Sequence, residues 1–246
     1  MWIVLCSATD ASALWAYDGL RQMGLRPLEL VTAEALASAA QWKHTLNGGA
    51  HLTIRLADGR SIYSSAIRGV LNRLTGPAPE MLQRAVSSDR DYVQAEMYAF
   101  YLSWIYSLPG VVINRPTPLG LSGPWFHPSE WVYRASRAGL PTPHYRLSGR
   151  DPMDEAFGTL APAGATTLNL ITLCGNVYGG YVPASTARGC AGLAESAGTD
   201  LLGLSLYLNR DSRWTFAGAM PLPDLTVGGT PLLRALANKL TEGVRA

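Results

Sequence analysis

The sequence predicts an α/β protein in which an open, mostly parallel sheet flanked by helices is followed by a smaller α+β part with antiparallel strands. Three observations carry this expectation. Residues 2–31 alternate an apolar run, a helical repeat and a second apolar run, a βαβ opening whose crossover favours parallel pairing. Two later apolar runs close in the same dipeptide, Asn72-Arg73 and Asn114-Arg115. Beyond residue 165 the pattern changes to strand pairs joined by short turns. The expected division is therefore residues 1–145, a linker over 146–165, and residues 166–246.

Residues 2–6 form a short apolar run, and residues 9–23 place Leu14, Trp15, Leu20 and Met23 at helical spacing, with Gly24 able to end the helix. Residues 27–31 read as the second strand. Between His51 and Tyr63 apolar and polar residues alternate around Asp58-Gly59, the signal for a two-residue hairpin turn. A strand over 67–71 and a weak helix over 78–86 follow. The run from Ser88 to Asp91 then opens a long aromatic-rich helix that reaches Tyr106 and is stopped by Leu108-Pro109. Its aromatic residues occupy more than one face, so part is core and the remainder suits a partner or oligomer surface. Residues 111–113 read as a strand and 129–138 as a helix ended by Gly139-Leu140-Pro141. Strands are expected over 168–174 and 177–182 about Gly175-Asn176, then over 202–208 and 214–219, with a terminal helix over 231–240.

Composition narrows the function. With 48% hydrophobic residues in 246 the chain can bury a proper core, which excludes disorder. A net charge of +2 with 15% charged residues gives no field for nucleic acid. Three cysteines without C-x-x-C spacing give neither a disulfide framework nor a zinc signature, and point to a cytoplasmic setting. Pro, Gly and Asn interrupt the uncharged stretches that could suggest membrane spans. No G-x-G-x-x-G turn, P-loop or nucleophile elbow occurs.

The sharpest candidate site is the pair of Asn-Arg dipeptides. In an open α/β sheet, ligands bind outside the carboxyl ends of the strands, and an arginine fork there suits a carboxylate or phosphate. Asn72, Arg73, Asn114 and Arg115 are therefore candidate contacts for a small anionic ligand or peptide. Cys6, at the end of the first strand, is a fifth. The alternative is that each arginine pairs with a local acid such as Asp89, Asp91 or Glu96 and each asparagine caps a turn.

The segments 69–74, 91–96, 111–116 and Arg137-Ala138-Gly139-Leu140-Pro141-Thr142-Pro143 together resemble the ATP-grasp carboxylate-amine ligases, particularly the branch that includes ribosomal-peptide maturases. The resemblance covers residues 1–145 as a pre-ATP-grasp domain, with a weaker echo from Leu168 onward. It implies a nucleotide-clamping lobe with phosphate-binding lysines, yet the span between Tyr145 and Thr166 is too short for one, and no lysine lies between Lys43 and Lys239. Where the family places a glutamate and an asparagine before a proline, to hold magnesium, this chain has Ala217, Gly218, Ala219 and Met220 before Pro221. Phosphoryl chemistry needs positive charge and metal around the triphosphate. The resemblance thus implies an ATP-grasp relative without independent catalysis or cofactor, holding a peptide, a small anionic ligand or a biosynthetic partner enzyme.

Two alternatives stand beside it. One is a working ATP- and magnesium-dependent ligase whose phosphate contacts come from Arg134, Arg137, Arg146 or Arg188. The other is an oligomer-forming interaction protein.

Overall fold

The computed structural model describes residues 1–45, 51–83, 85–145 and 160–242. Two compact units make up the chain: residues 1–122 with the segment from Arg234, and Gly123–Leu233. These differ from the division expected at 145 and 166. The expected linker lies outside the described residues except for 160–165.

In the first unit β1 (Trp2–Cys6) is buried along its whole length, as an uninterrupted apolar strand flanked on both edges must be. It pairs in parallel with β2 (Leu28–Thr32) on one side and with β6 (Gly69–Asn72) on the other, and β7 (Val111–Ile113) extends the sheet beyond β6. The Asp10 carboxylate caps α1 (Ala11–Gln22) by accepting from the Ala13 N–H at 2.9 Å. Thr32 caps the short α2 (Ala33–Ala37) in the same way.

A second, antiparallel sheet of β3 (Gln41–Thr45), β4 (His51–Arg55) and β5 (Ser61–Tyr63) turns Leu52, Ile54 and Ile62 into the core. The β4–β5 turn is one residue longer than expected. The Leu56 N–H donates to the Arg60 carbonyl, leaving Ala57, Asp58 and Gly59 as the loop, with Gly59 at φ 88°. After α3 (Pro79–Gln83), the long α4 (Arg90–Tyr106) buries Tyr101, Trp104 and Ile105, while Tyr92 and Tyr106 stay exposed. Between α4 and β7 the chain passes the Arg68 carbonyl so closely that a Cβ on Gly110 would lie 2.4 Å from that oxygen.

In the second unit the order β11-β10-β8-β9 joins β8 (Thr167–Leu173), β9 (Asn176–Tyr178), β10 (Leu201–Leu208) and β11 (Trp214–Met220), all antiparallel. One face, with Leu170, Leu204, Leu206 and Phe216, packs with buried residues of α5 (Pro128–Arg137) and α6 (Ala184–Ser196). The edge strand β11 is not bare: the Phe216 N–H donates to the Pro141 carbonyl and the Ala217 carbonyl accepts from the Leu160 N–H. A bulge falls at Ser205/Leu206 on β10, where Ala217 is the extra residue on β11. The last helix, α7 (Gly229–Thr241), belongs with the first unit from Arg234 onward, where the Trp2 indole N–H donates to the Leu240 carbonyl at 2.9 Å. No helix among the described residues is long and apolar enough to cross a membrane.

Candidate functional site

The carboxyl ends of β1, β6 and β7 bring Cys6, Asn72, Arg73 and Asn114 to one end of the parallel sheet, all of them buried. Asn72 ties that end together. Its amide donates to the Asn114 carbonyl at 2.9 Å and to the Leu121 carbonyl at 2.6 Å, and its oxygen accepts from the Leu74 N–H at 3.3 Å. The loop after β7 is thereby laid across the strand ends. Asn114 itself lies at φ 59°, a left-handed conformation that asparagine tolerates better than most residues.

The Arg73 guanidinium grips Asp10, Nε to Oδ2 at 2.7 Å and NH2 to Oδ1 at 3.2 Å. Its side chain is 4% exposed and that of Asp10 17%, so the pair is largely removed from water. The acid is the N-cap of α1, not Asp89, Asp91 or Glu96. Arg115 is exposed but spends its fork on backbone carbonyls of Tyr106, Leu108 and Gly110, where α4 ends. The two forks therefore serve different parts of the chain, and the sheet end does not present them as a pair.

Two acids that sequence reasoning missed, Asp10 and Glu34, define the electrostatics here. Burial alone would raise the Glu34 carboxyl. Hydrogen bonds from its own and the Ala8 backbone N–H and from Ser7 and Thr32 outweigh burial and hold it below its usual value. As an N-cap Asp10 has a local signal, but its pairing with Arg73 and that of Glu34 with Ser7 and Ala8 span 26 to 63 residues and leave no local pattern. Ser122, on the loop over the same end, is fully buried, and its Oγ has no hydrogen-bond partner among the described residues.

Burial, reinforced by Asp10 and only partly offset by Arg73, pushes the Cys6 thiol up to about 12. Burial does the same to Cys190. A thiol in that state is neutral at physiological pH and is no nucleophile. Iodoacetamide at about pH 8 is therefore expected to label exposed Cys174 in the native protein and to spare Cys6 and Cys190. Peptide mapping checks this, and equal labelling of all three would contradict it. The raised thiols favour the folded state fully below about pH 9, and that contribution fades toward about 12 as the unfolded thiols ionise first.

The second candidate surface is the face of the β8–β11 sheet opposite α5 and α6. Cross-strand register places Asn169, Ser205 and Gly218 side by side, and next to them Ile171, Gly203 and Met220. Above Asn169, Ile171, Gly203, Ser205 and Met220 lies a hollow of about 520 Å³, counting its open mouth, bordered also by Pro223, Asp224 and Val227. A further cleft, lined by aromatic and aliphatic residues, lies between Trp125, Trp131, Phe216 and Met220.

The donor set of a magnesium–triphosphate complex can be tested against this face. Magnesium asks for carboxylate oxygens beside the phosphates, and the phosphates ask for cations. β11 offers Gly218 and Met220, the hollow has the single carboxylate of Asp224, and residues 123–233 contain no lysine. These residues do not fit that group. Of the arginines named as alternative phosphate contacts, Arg134 pairs with Glu130, donates to the Ser196 carbonyl and lies 4.3 Å from the Phe126 ring centroid, and Arg146 lies outside the described residues.

No protein-family model and no curated protein matches the chain. Among solved structures it is similar to the macrocyclase MdnC bound with precursor peptide MdnA, from Microcystis aeruginosa MRC, at 14% identity and a TM-score of 0.73, covering 98% of this chain and 99% of that one. It is also similar to a Chryseobacterium gregarium RiPP-associated ATP-grasp ligase in complex with ADP and a leader and core peptide, at 9% identity and a TM-score of 0.71, covering 98% and 96%. MdnB, a macrocyclase from the same Microcystis strain, gives 12% identity and a TM-score of 0.67 over 98% and 100%. A parallel sheet flanked by helices and an antiparallel second unit are the fold that this chain shares with these two macrocyclases and this ligase.

Proposed function

We propose that this chain binds a peptide in a peptide-maturation system without carrying out ATP-dependent ligation of its own. The observation that supports the reading most is the whole-chain likeness to MdnC, a protein described with its precursor peptide bound. The residues of the second unit support the catalytic half of the reading: Ala217, Gly218, Ala219 and Met220 precede Pro221, where the family resemblance implies a glutamate and an asparagine, and residues 123–233 contain no lysine. The Asn-Arg dipeptides act in this reading as scaffold, closing the end of the parallel sheet rather than meeting the ligand.

The test pairs a displayed random-peptide library, panned on the immobilised chain, with two ATP measurements on the same protein. Enriched peptides are expected to bind the free protein in fluorescence anisotropy. ATP with magnesium is expected to leave the melting temperature unchanged, and an enriched peptide incubated with both is expected to keep its mass. Saturation at about 100 times Kd would add roughly 2.7 kcal/mol, a rise of about 5–11 °C for a chain this size. Such a rise, with ADP release and loss of water from the peptide, would establish a ligase instead. Failure to enrich any peptide above the bare support would overturn the binding half.

A further inference from the structure

We propose that the hollow over β8, β10 and β11 is a subsite for a basic side chain of the bound peptide, arginine ahead of lysine. The proposal rests on the peptide-binding reading and names the chemistry it selects. The walls are apolar: Ile171 from β8, Met220 from β11, and Pro223 and Val227 from the segment that follows. Two glycines make the room and the fit. A Cβ on Gly203 would lie 2.6 Å from the Pro223 Cβ, and one on Gly179 would lie 2.6 Å from a Val227 methyl, so both walls close in only because those residues lack side chains.

The polar groups at this hollow are acceptors or neutral. Asp224 contributes a carboxylate held in place by the Thr226 N–H at 3.0 Å and the Thr226 hydroxyl at 2.7 Å, both to Oδ1. Among the described residues it has no ion-pair partner, and no arginine, lysine or histidine borders the hollow. Ser205 donates its hydroxyl to the Asn169 side-chain oxygen at 2.8 Å, so this neutral pair lines the hollow without adding charge. A site with apolar walls, one fixed carboxylate and no cation complements a side chain with a long methylene stem and a positive head. Guanidinium is more weakly hydrated than ammonium and meets a carboxylate with two parallel hydrogen bonds, so arginine gives up less on entering apolar surroundings.

The experiment is an amide chemical-shift titration of the full chain with three capped amino acids: the N-acetyl methylamides of arginine, lysine and norleucine. Arginine is expected to bind at least about fivefold more tightly than norleucine, an increment of about 1 kcal/mol, with shifts at Gly203, Ser205 and Val227. Asp224→Asn keeps an oxygen for the Thr226 cap and removes only the charge. It should bring arginine and lysine down to the norleucine level while leaving norleucine unchanged. Ser205→Leu, which extends apolar bulk from β10 into the hollow, should weaken all three. Equal binding of arginine and norleucine by the wild type, or arginine binding that survives both variants, would overturn the proposal. Peptides from the displayed library that bind Asp224→Asn as tightly as wild type would overturn the subsite and leave peptide binding intact. Arginine selectivity in a protein that enriches no peptide would do the reverse.

Discussion

Asp10→Asn is expected to cost about 3–5 kcal/mol of folding stability, the range for removing one member of a buried ion pair. The substitution keeps an oxygen at the head of α1, so the cap on Ala13 survives and the loss isolates the charge. What remains is the Arg73 guanidinium, 4% exposed, without its counter-ion at the end of the parallel sheet. At about 2–4 °C per kcal/mol the melting temperature should fall by roughly 6–20 °C. Urea titration supplies the free energy independently. Arg73→Met combined with Asp10→Ala should be less damaging than the sum of the two singles, because the double variant leaves no charge unpaired. A loss below about 1 kcal/mol for Asp10→Asn would place the pair among surface ion pairs of little consequence.

Asn72→Leu is the second large effect. The leucine has the branched outline of asparagine with more bulk and offers neither donor nor acceptor, so the Asn114 and Leu121 carbonyls and the Leu74 N–H lose their partner together. An unsatisfied buried group costs about 1–3 kcal/mol, and since neighbouring losses are not additive a total of about 2–5 kcal/mol is expected. Thermal and urea unfolding measure it. Asn72→Asp restores the acceptor for Leu74 but aims a carboxylate at two carbonyls, so it should be no better. A stable Asn72→Leu protein that has lost peptide binding would show that Asn72 meets the ligand directly. An unstable one whose folded fraction still binds would show the scaffold role.

Much of the architecture could be read along the chain because burial leaves a local pattern. The run at residues 2–6 is apolar without interruption and became the central strand β1, and the alternation about Asp58-Gly59 became the β4–β5 hairpin. Where the pattern was faint the element was missed. α6 is built from small residues, with Leu193 its one large apolar side chain, so no helical stripe shows in the sequence. β3 reads Gln-Trp-Lys-His-Thr and packs through Trp42, whose ring lies 5.0 Å from Phe100 and 6.1 Å from Trp104, and through His44, 5.7 Å from Phe100. The candidate residues were legible as positions but not as partnerships. That β6 and β7 each end in Asn-Arg is visible at once. That one arginine meets an acid 63 residues earlier, while the other reaches back to the carbonyls before its own strand, is decided by tertiary folding. Asp224 was legible only as part of the C-terminal echo, because a lone carboxylate beside a proline shows its place at the hollow only once the walls around it are folded.

The two short contacts along the outer side of β11 bear on how this protein behaves at high concentration. An uncovered strand margin is a template on which another molecule can lay its own backbone, and polymerisation begins from such margins. Here Pro141 and Leu160 occupy the middle of that margin with the molecule's own chain. Proline has no N–H to extend a ladder, so the covering segment offers the next molecule no matching row of donors at that point. The bulge at Ala217 twists the rest out of register with a straight strand. This margin is therefore sealed against runaway stacking, and the apolar rim that Trp125 and Met220 expose beside it can stay open to solvent without seeding fibres.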